Sequence, residues 1–189
     1  FVANKVSALQ YIVAQSSSSK HLQVYIDSGS SLFTRVGAYS AVDTGVDLST
    51  GELYHVVVTW NGTSGHDVYI NGAEHTGSSN SISMAIDSNT DIILGAVHTV
   101  NASFFHGIIN EVALWSSVLT LAEVQAIFND GIALDVSSDS GDYASSDDLL
   151  GYWRNDGAAS WTDRSDNTNH ATPVTSPATI LLPEGTTAG

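Results

Sequence analysis

Between Tyr54 and Gly72 the chain reads Tyr54-His55-Val56-Val57-Val58-Thr59-Trp60-Asn61-Gly62, then Asp67-Val68-Tyr69-Ile70-Asn71-Gly72. The first run is dense in β-branched and aromatic residues, which suit a pleated surface and lose side-chain freedom in a helix. Each run stops at Asn-Gly, the pair that most readily adopts the positive φ angles of a tight hairpin turn. Two such signals in so short a span predict an antiparallel meander. A chain with this segment at its centre is built around a sheet.

The same logic extends on both sides. Leu9 to Gln15 and His21 to Asp27 are strand-like runs separated by the serines 16–19, and they predict a hairpin with one wet face. Leu32 to Val36, Ala73 to Thr76, Asp91 to Ala96, Phe104 to Trp115, Leu149 to Arg154 and Thr179 to Leu182 are further strand candidates bounded by Gly, Ser or Asn. One segment reads as a helix, over about 121–130. Thr120 and Glu123 have the spacing of a capping box, Leu121, Val124, Ile127 and Phe128 share a face, and Gly131 is a suitable stop. All three prolines, at 173, 177 and 183, lie outside the proposed strands and helix. The stretch from Leu134 to Asp148 is acidic, Ser-rich and poor in apolar residues, so it is expected to be an exposed loop. Residues 184–189 are expected to fray. The whole is an all-β antiparallel sandwich with one short helix, read as a single domain over 1–189.

Charge narrows the partners. Five basic against 20 acidic residues among 189 give a formal charge of -15, which repels nucleic acid and anionic membrane surfaces at long range. Cysteine is absent, which removes disulfides, thiolate metal sites and cysteine nucleophiles together. No apolar run approaches the ~20 residues of a membrane span. The opening Phe1-Val2-Ala3-Asn4-Lys5 has neither an initiator Met nor an apolar signal core, so the chain reads as a processed product or a fragment, with any export signal upstream.

The Tyr54 to Gly72 meander resembles the central hairpin of laminin-G-like, concanavalin-A-like jelly-roll domains, through His55, Thr59, Trp60, Tyr69, Asn71 and Gly72. A second block, Phe105 to Trp115 followed by Leu119-Thr120 and Glu123-Val124, is similar to a strand and helix of the same family. Leu150 to Gly157, with Trp161-Thr162-Asp163 and Asn167 to Ala171, resembles a segment that often opens such domains and here stands at the end, an order that resembles domains of phage and marine environmental proteins. The family's usual N-terminal edge strand is missing from the start. The resemblance implies a jelly-roll β-sandwich, one strand short at its N-terminal side, with an open sheet edge that would favour a homodimer.

Catalysis in such a fold would need paired carboxylates on a cleft-facing strand, and the glutamates 52, 74, 111, 123 and 184 each stand alone. The seven histidines form no H-x-H or H-E-x-x-H pattern. The chain is therefore read as a non-enzyme. Asp163, Asp166, Asn167 and Asn169 concentrate oxygen donors in one loop, which predicts a structural calcium ion on Asp163 and Asn169, joined by Asn110; local turn formation is the competing explanation. Of four tryptophans, Trp60, Trp115 and Trp153 fall in strand motifs and are assigned to the core. Trp161 sits in a polar loop and is the first choice for a sugar platform, with Tyr39 and Tyr143 as neighbours.

These readings converge on a recognition or adhesion module for a carbohydrate or a cell-surface protein, within a larger extracellular or virion-associated protein. Two others stand beside it. One is a purely structural spacer or oligomerisation module, the other a polysaccharide-active enzyme.

Overall fold

The computed structural model describes residues 1–16, 21–38, 40–62, 65–78, 91–97, 102–157 and 160–173. The order of elements is β1 (Val2–Ala3), β2 (Gln10–Ser16), β3 (His21–Ile26), β4 (Ser31–Val36), β5 (Val42–Asp47), β6 (Val56–Trp60), β7 (His66–Ile70), β8 (Ala73–Ser78), β9 (Ile93–Leu94), β10 (Gly107–Ile108), β11 (Val112–Trp115), α1 (Leu121–Phe128) and β12 (Leu149–Trp153). Both predicted hairpin systems are present. β2 pairs with β3, and β6, β7 and β8 form the antiparallel meander. The candidate strand at Thr179 to Leu182 and the tail from 184 lie outside the described residues.

The strands form a jelly-roll sandwich. A five-stranded sheet in the order β5-β4-β3-β2-β9 faces the three-stranded sheet β6-β7-β8, while β11 pairs with β12 and β1 with β10. Strand alternation sorts the side chains between layers. Ile12, Val24, Ile26 and Leu32 of the large sheet meet Val68 and Ile70 of β7, with Val56 and Val58 packed against them. On the other side of the small sheet, Val57 and Tyr69 join Val124 and Ile127 of α1 and Tyr152 of β12. The run Val56-Val57-Val58 is apolar without interruption because it is covered on both faces.

α1 begins as its sequence dictates. Thr120 accepts the Glu123 N–H at 3.3 Å, and Glu123 accepts the Thr120 N–H at 2.9 Å, which closes the capping box. The helix ends at Phe128, followed by a single 3-10 turn over Asn129–Gly131 in which Asn129, Asp130 and Gly131 all have positive φ. The predicted stop at Gly131 is thus spread over three residues.

Two expectations are corrected. The strand proposed from Phe104 to Trp115 is split into β10 and β11, because Glu111 turns to φ 51° and Asn110 accepts the Asn155 N–H at 2.7 Å. The segment from Leu134 to Asp148 is not simply an exposed loop. Val136 and Tyr143 are buried, and the Tyr143 hydroxyl donates to the Val136 carbonyl and accepts Trp115 Nε1, each at 2.9 Å. Glu123 ties the segment to α1, accepting the Ser145 hydroxyl and the Ala144 N–H. Burial opposes ionisation of Glu123, but the bonds from Ser145, Thr120 and Ala144 outweigh it and hold its pKa below the ordinary value. A few anchors order a segment whose mean composition is that of a loop.

Two predictions arise here. Tyr143→Phe removes one donor and strands both the Val136 carbonyl and the Trp115 indole, so denaturant titration should show a loss of about 1–3 kcal/mol. His55 stacks on Phe128 with ring centroids 5.9 Å apart, and burial, then the nearby amino terminus, lower its pKa from 6.5 to about 4. Between those two values the unfolded chain binds a proton that the folded chain excludes, so stability falls as pH is lowered through that window. Melting curves from neutral pH down to the lower value should show a smaller fall for His55→Phe than for the wild type; equal falls would remove His55 from the account.

Candidate functional site

The loop from Trp161 to His170 is organised by a carboxylate. Asp163 is buried, and its two oxygens accept four donors: the N–H groups of Tyr152 and Ser165 at 2.9 Å, the N–H of Asn169 at 2.8 Å and the Ser165 hydroxyl at 2.9 Å. Burial pushes its pKa up, but the N–H donors of Tyr152, Ser165 and Asn169 more than offset this and keep it below the usual carboxylate value. The loop in turn closes the outer side of β12. The side-chain amides of Asn167 and Asn169 donate to the carbonyls of Leu149 and Leu150 at 2.7 and 2.8 Å, and Trp153 Nε1 donates to the Asn169 carbonyl at 2.8 Å. An edge strand is thereby covered by side chains together with one backbone bridge, Trp153 to Asp163, in which the Arg164 N–H donates to the Tyr152 carbonyl at 2.8 Å.

This arrangement bears directly on the calcium expectation. The structure brings Asp163 and Asn169 together, while Asn110 is engaged with Asn155. The Asp163 oxygens face N–H and O–H donors, the opposite of what a cation needs. Among the described residues no group of three or more His, Asp or Glu side chains is placed to hold a metal. In the structure these hydrogen bonds hold the loop.

The three aromatic candidates have separate fates. Trp161 is half-buried and forms an antiparallel bridge with Ala171. Tyr143 is fully buried in the cluster of α1 and β12, so the expectation that it flanks Trp161 at the surface is corrected: its hydroxyl is needed inside, between Trp115 and Val136. Tyr39 lies outside the described residues. Trp60 and Trp115 pack against core clusters, as their strand motifs imply.

A different aromatic surface is present on the outer face of the five-stranded sheet. Tyr11 on β2, Tyr25 on β3 and Phe33 on β4 are register partners across neighbouring strands and are half-buried. Their rings form a row, with centroids 5.1 Å apart from Tyr11 to Tyr25 and 5.4 Å from Tyr25 to Phe33, the second pair within 14° of parallel. Asp43 lies opposite Phe33 on β5, and Arg35 opposite Gln23. Burial, then Tyr11, Asp27 and Asp43, push the Tyr25 hydroxyl above the ordinary tyrosine value against the pull of Arg35, which keeps it a donor. Aromatic surface amid polar groups is the combination a sugar site uses: apolar ring surface meets C–H groups and the polar rim meets hydroxyls.

A signal for this row is present in the sequence. Gln10-Tyr11-Ile12, Val24-Tyr25-Ile26 and Leu32-Phe33-Thr34 each set an aromatic at the solvent phase of a strand whose flanking residues are buried. Alignment of the three depends on register, and β2 carries a bulge between Tyr11 and Val13.

Substitution of Asp163 tests the loop. Asp163→Asn should lower the melting temperature by about 4–8 °C, the equivalent of roughly 2 kcal/mol in a chain of this size, and calcium added to the wild type should leave it unchanged.

The fold has counterparts among known proteins. In structure the chain is similar to a protein from Bacteroides ovatus described as carbohydrate binding, with a TM-score of 0.69 and 20% identity over 90% of this chain and 49% of that one. It spans about half the length of that protein. It also aligns with an S-layer domain-containing protein from Clostridium thermocellum at a TM-score of 0.38 and 18% identity, over 68% of this chain and 66% of that one. Among curated proteins none matches the sequence. A sequence profile of the concanavalin A-like lectin/glucanases superfamily matches residues 2–125, which takes in both the meander and the β11 block, and the chain belongs to that superfamily.

Proposed function

We propose that the chain is a carbohydrate-binding module that acts without catalysis, within a larger extracellular or virion-associated protein. The observation that carries this reading is the row Tyr11, Tyr25 and Phe33 on the outer face of the five-stranded sheet, with Asp43 and Arg35 at neighbouring register positions. The formal charge of -15 and the aspartates beside the row favour neutral or amino sugars over acidic ones. The fold and the carbohydrate-binding description of the Bacteroides ovatus protein agree with this assignment. The absence of chemistry is supported by what the enclosed carboxylates do. Glu111 holds Arg154 at 2.7 Å and accepts the Tyr152 hydroxyl, Glu123 caps α1, and Asp163 organises its loop, so each is committed to the framework.

A glycan array probed with wild type, Tyr25→Ala and Trp161→Ala tests the proposal. Tyr25→Ala should lose at least about tenfold in apparent affinity, the size of one good aromatic contact, while Trp161→Ala keeps the signal. The reverse pattern would move the site to the Trp161 loop. No signal from the wild type would favour the spacer reading, and reducing ends released from a polysaccharide mixture would make the protein an enzyme.

A further inference from the structure

The outer face of the five-stranded sheet is a grid of side chains whose charges are sorted by row. Tyr11, Tyr25 and Phe33 form the middle row, which ends on β5 at Asp43, the register partner of Phe33. Towards the turn between β3 and β4 stand Ser31 and its partner Asp47. Asp27, two residues after Tyr25, takes the same side of its strand by alternation. The row on the opposite side of the aromatics holds Gln23 and Arg35, partners of each other. The irregularity between β4 and β5 sets Asp47 opposite Ser31 and Asp43 opposite Phe33, so both aspartates of β5 lie beside residues of the outer face.

The three rings are not equivalent. Tyr25 has a ring on each side, whereas Phe33 has Tyr25 on one side, and among the described residues no ring covers the other. On that uncovered side Asp43 stands about one strand spacing away and is exposed. Local bonds hold the three carboxylates through one oxygen each. Asp27 Oδ1 accepts the Gly29 and Ser31 N–H groups at 2.9 Å, Asp43 Oδ1 the Gly45 N–H at 2.9 Å, and Asp47 Oδ1 the Ser31 hydroxyl at 2.7 Å. Among the described residues the salt bridges are those of Arg154 with Glu111 and Asp135, so these three aspartates have no cationic partner from the chain. Asp27 and Asp43 both act on the Tyr25 hydroxyl, against Arg35, which agrees with carboxylates on one side of the row and the guanidinium on the other.

We infer that the Phe33 end of the row is a subsite for the ammonium group of an amino sugar, so that the glycan taken by this face carries free amines. The inference rests on the carbohydrate reading of the row and narrows it. A cation on the uncovered side of Phe33 meets the ring's π-electrons and the Asp43 carboxylate together. The amine of a hexosamine is attached to the same sugar ring whose C–H groups meet aromatic surface, so one sugar unit uses Phe33 and Asp43 at once. Acetylation of that amine removes the charge, and a hydroxyl in its place never had one, so both neutral forms keep the apolar contact and lose the ion pair. An exposed ion pair alone contributes little. Here the ring contact is added to it, and Asp27 and Asp47 reinforce the negative field on the same side of the row. Arg35, on the other side, disfavours an ammonium there and confines the preference to the side of the carboxylates.

Calorimetry of the full chain with β-1,4-linked oligomers of glucosamine, N-acetylglucosamine and glucose, matched in length, tests this at low salt. The glucosamine oligomer should bind at least about tenfold more tightly than either neutral one. Asp43→Asn should cut that preference at least about fivefold, and raising the salt about tenfold should narrow it. Asp142→Asn makes the same change of charge at an exposed position between α1 and β12 and should leave the preference as it is. Equal affinity of the wild type for all three oligomers overturns the inference and leaves the carbohydrate reading in place. Equal losses in Asp43→Asn and Asp142→Asn also overturn it, since the preference would then belong to the overall charge of -15. No sugar bound either here or on the glycan array overturns the reading on which the inference rests.

Discussion

Burial of the β6–β7 hairpin on both faces is the constraint around which the other elements are arranged. Val68 and Ile70 look towards the large sheet while Val57 and Tyr69 look towards α1 and β12. A strand in the middle of three layers gains from apolar contact on either side, at roughly 25 cal/mol per Å² removed from water, and cannot shift by one residue without exchanging the two sets. Its register fixes which residues of β2, β3 and β4 face inward, and by alternation which face solvent. The aromatic row is thus a consequence of core packing, since Tyr11, Tyr25 and Phe33 occupy the phase that the core leaves free.

The polar side of the molecule follows a similar economy. Glu111, Glu123 and Asp163 each gather several donors, and each connects elements distant in sequence: Glu111 to Tyr152 and Arg154, Glu123 to Ser145, Asp163 to Tyr152 and Asn169. An enclosed carboxylate is costly unless its oxygens are satisfied, and these three are. The acidic loops that look in sequence like cation ligands are folded by their own backbone N–H groups. What remains of the negative charge lies largely at the surface.

The fold was legible because its signals are local. Asn61-Gly62 and Asn71-Gly72, the β-branched run between Val56 and Thr59, and the Thr120–Glu123 box act within a few residues of themselves, and each produced the element it announces. The site was not legible in the same way. Trp161 stood out by composition, yet the row on the large sheet arises from three residues on three strands, none unusual alone. Tyr143 illustrates the converse error: it sits in a polar stretch, and only the packing of Val136, Leu149 and Tyr152 around it makes it a core residue.

By itself the sequence determined that the chain is antiparallel, mostly strand and capped by one helix, because turn chemistry and side-chain periodicity act over short distances. The Tyr54 to Gly72 meander is its clearest statement. Which aromatics face solvent and which carboxylates are enclosed were decided only in three dimensions. Those properties depend on register and on the meeting of segments as far apart as Phe1 and Tyr54, or Glu111 and Arg154, and such long-range contacts leave no periodic mark on the chain.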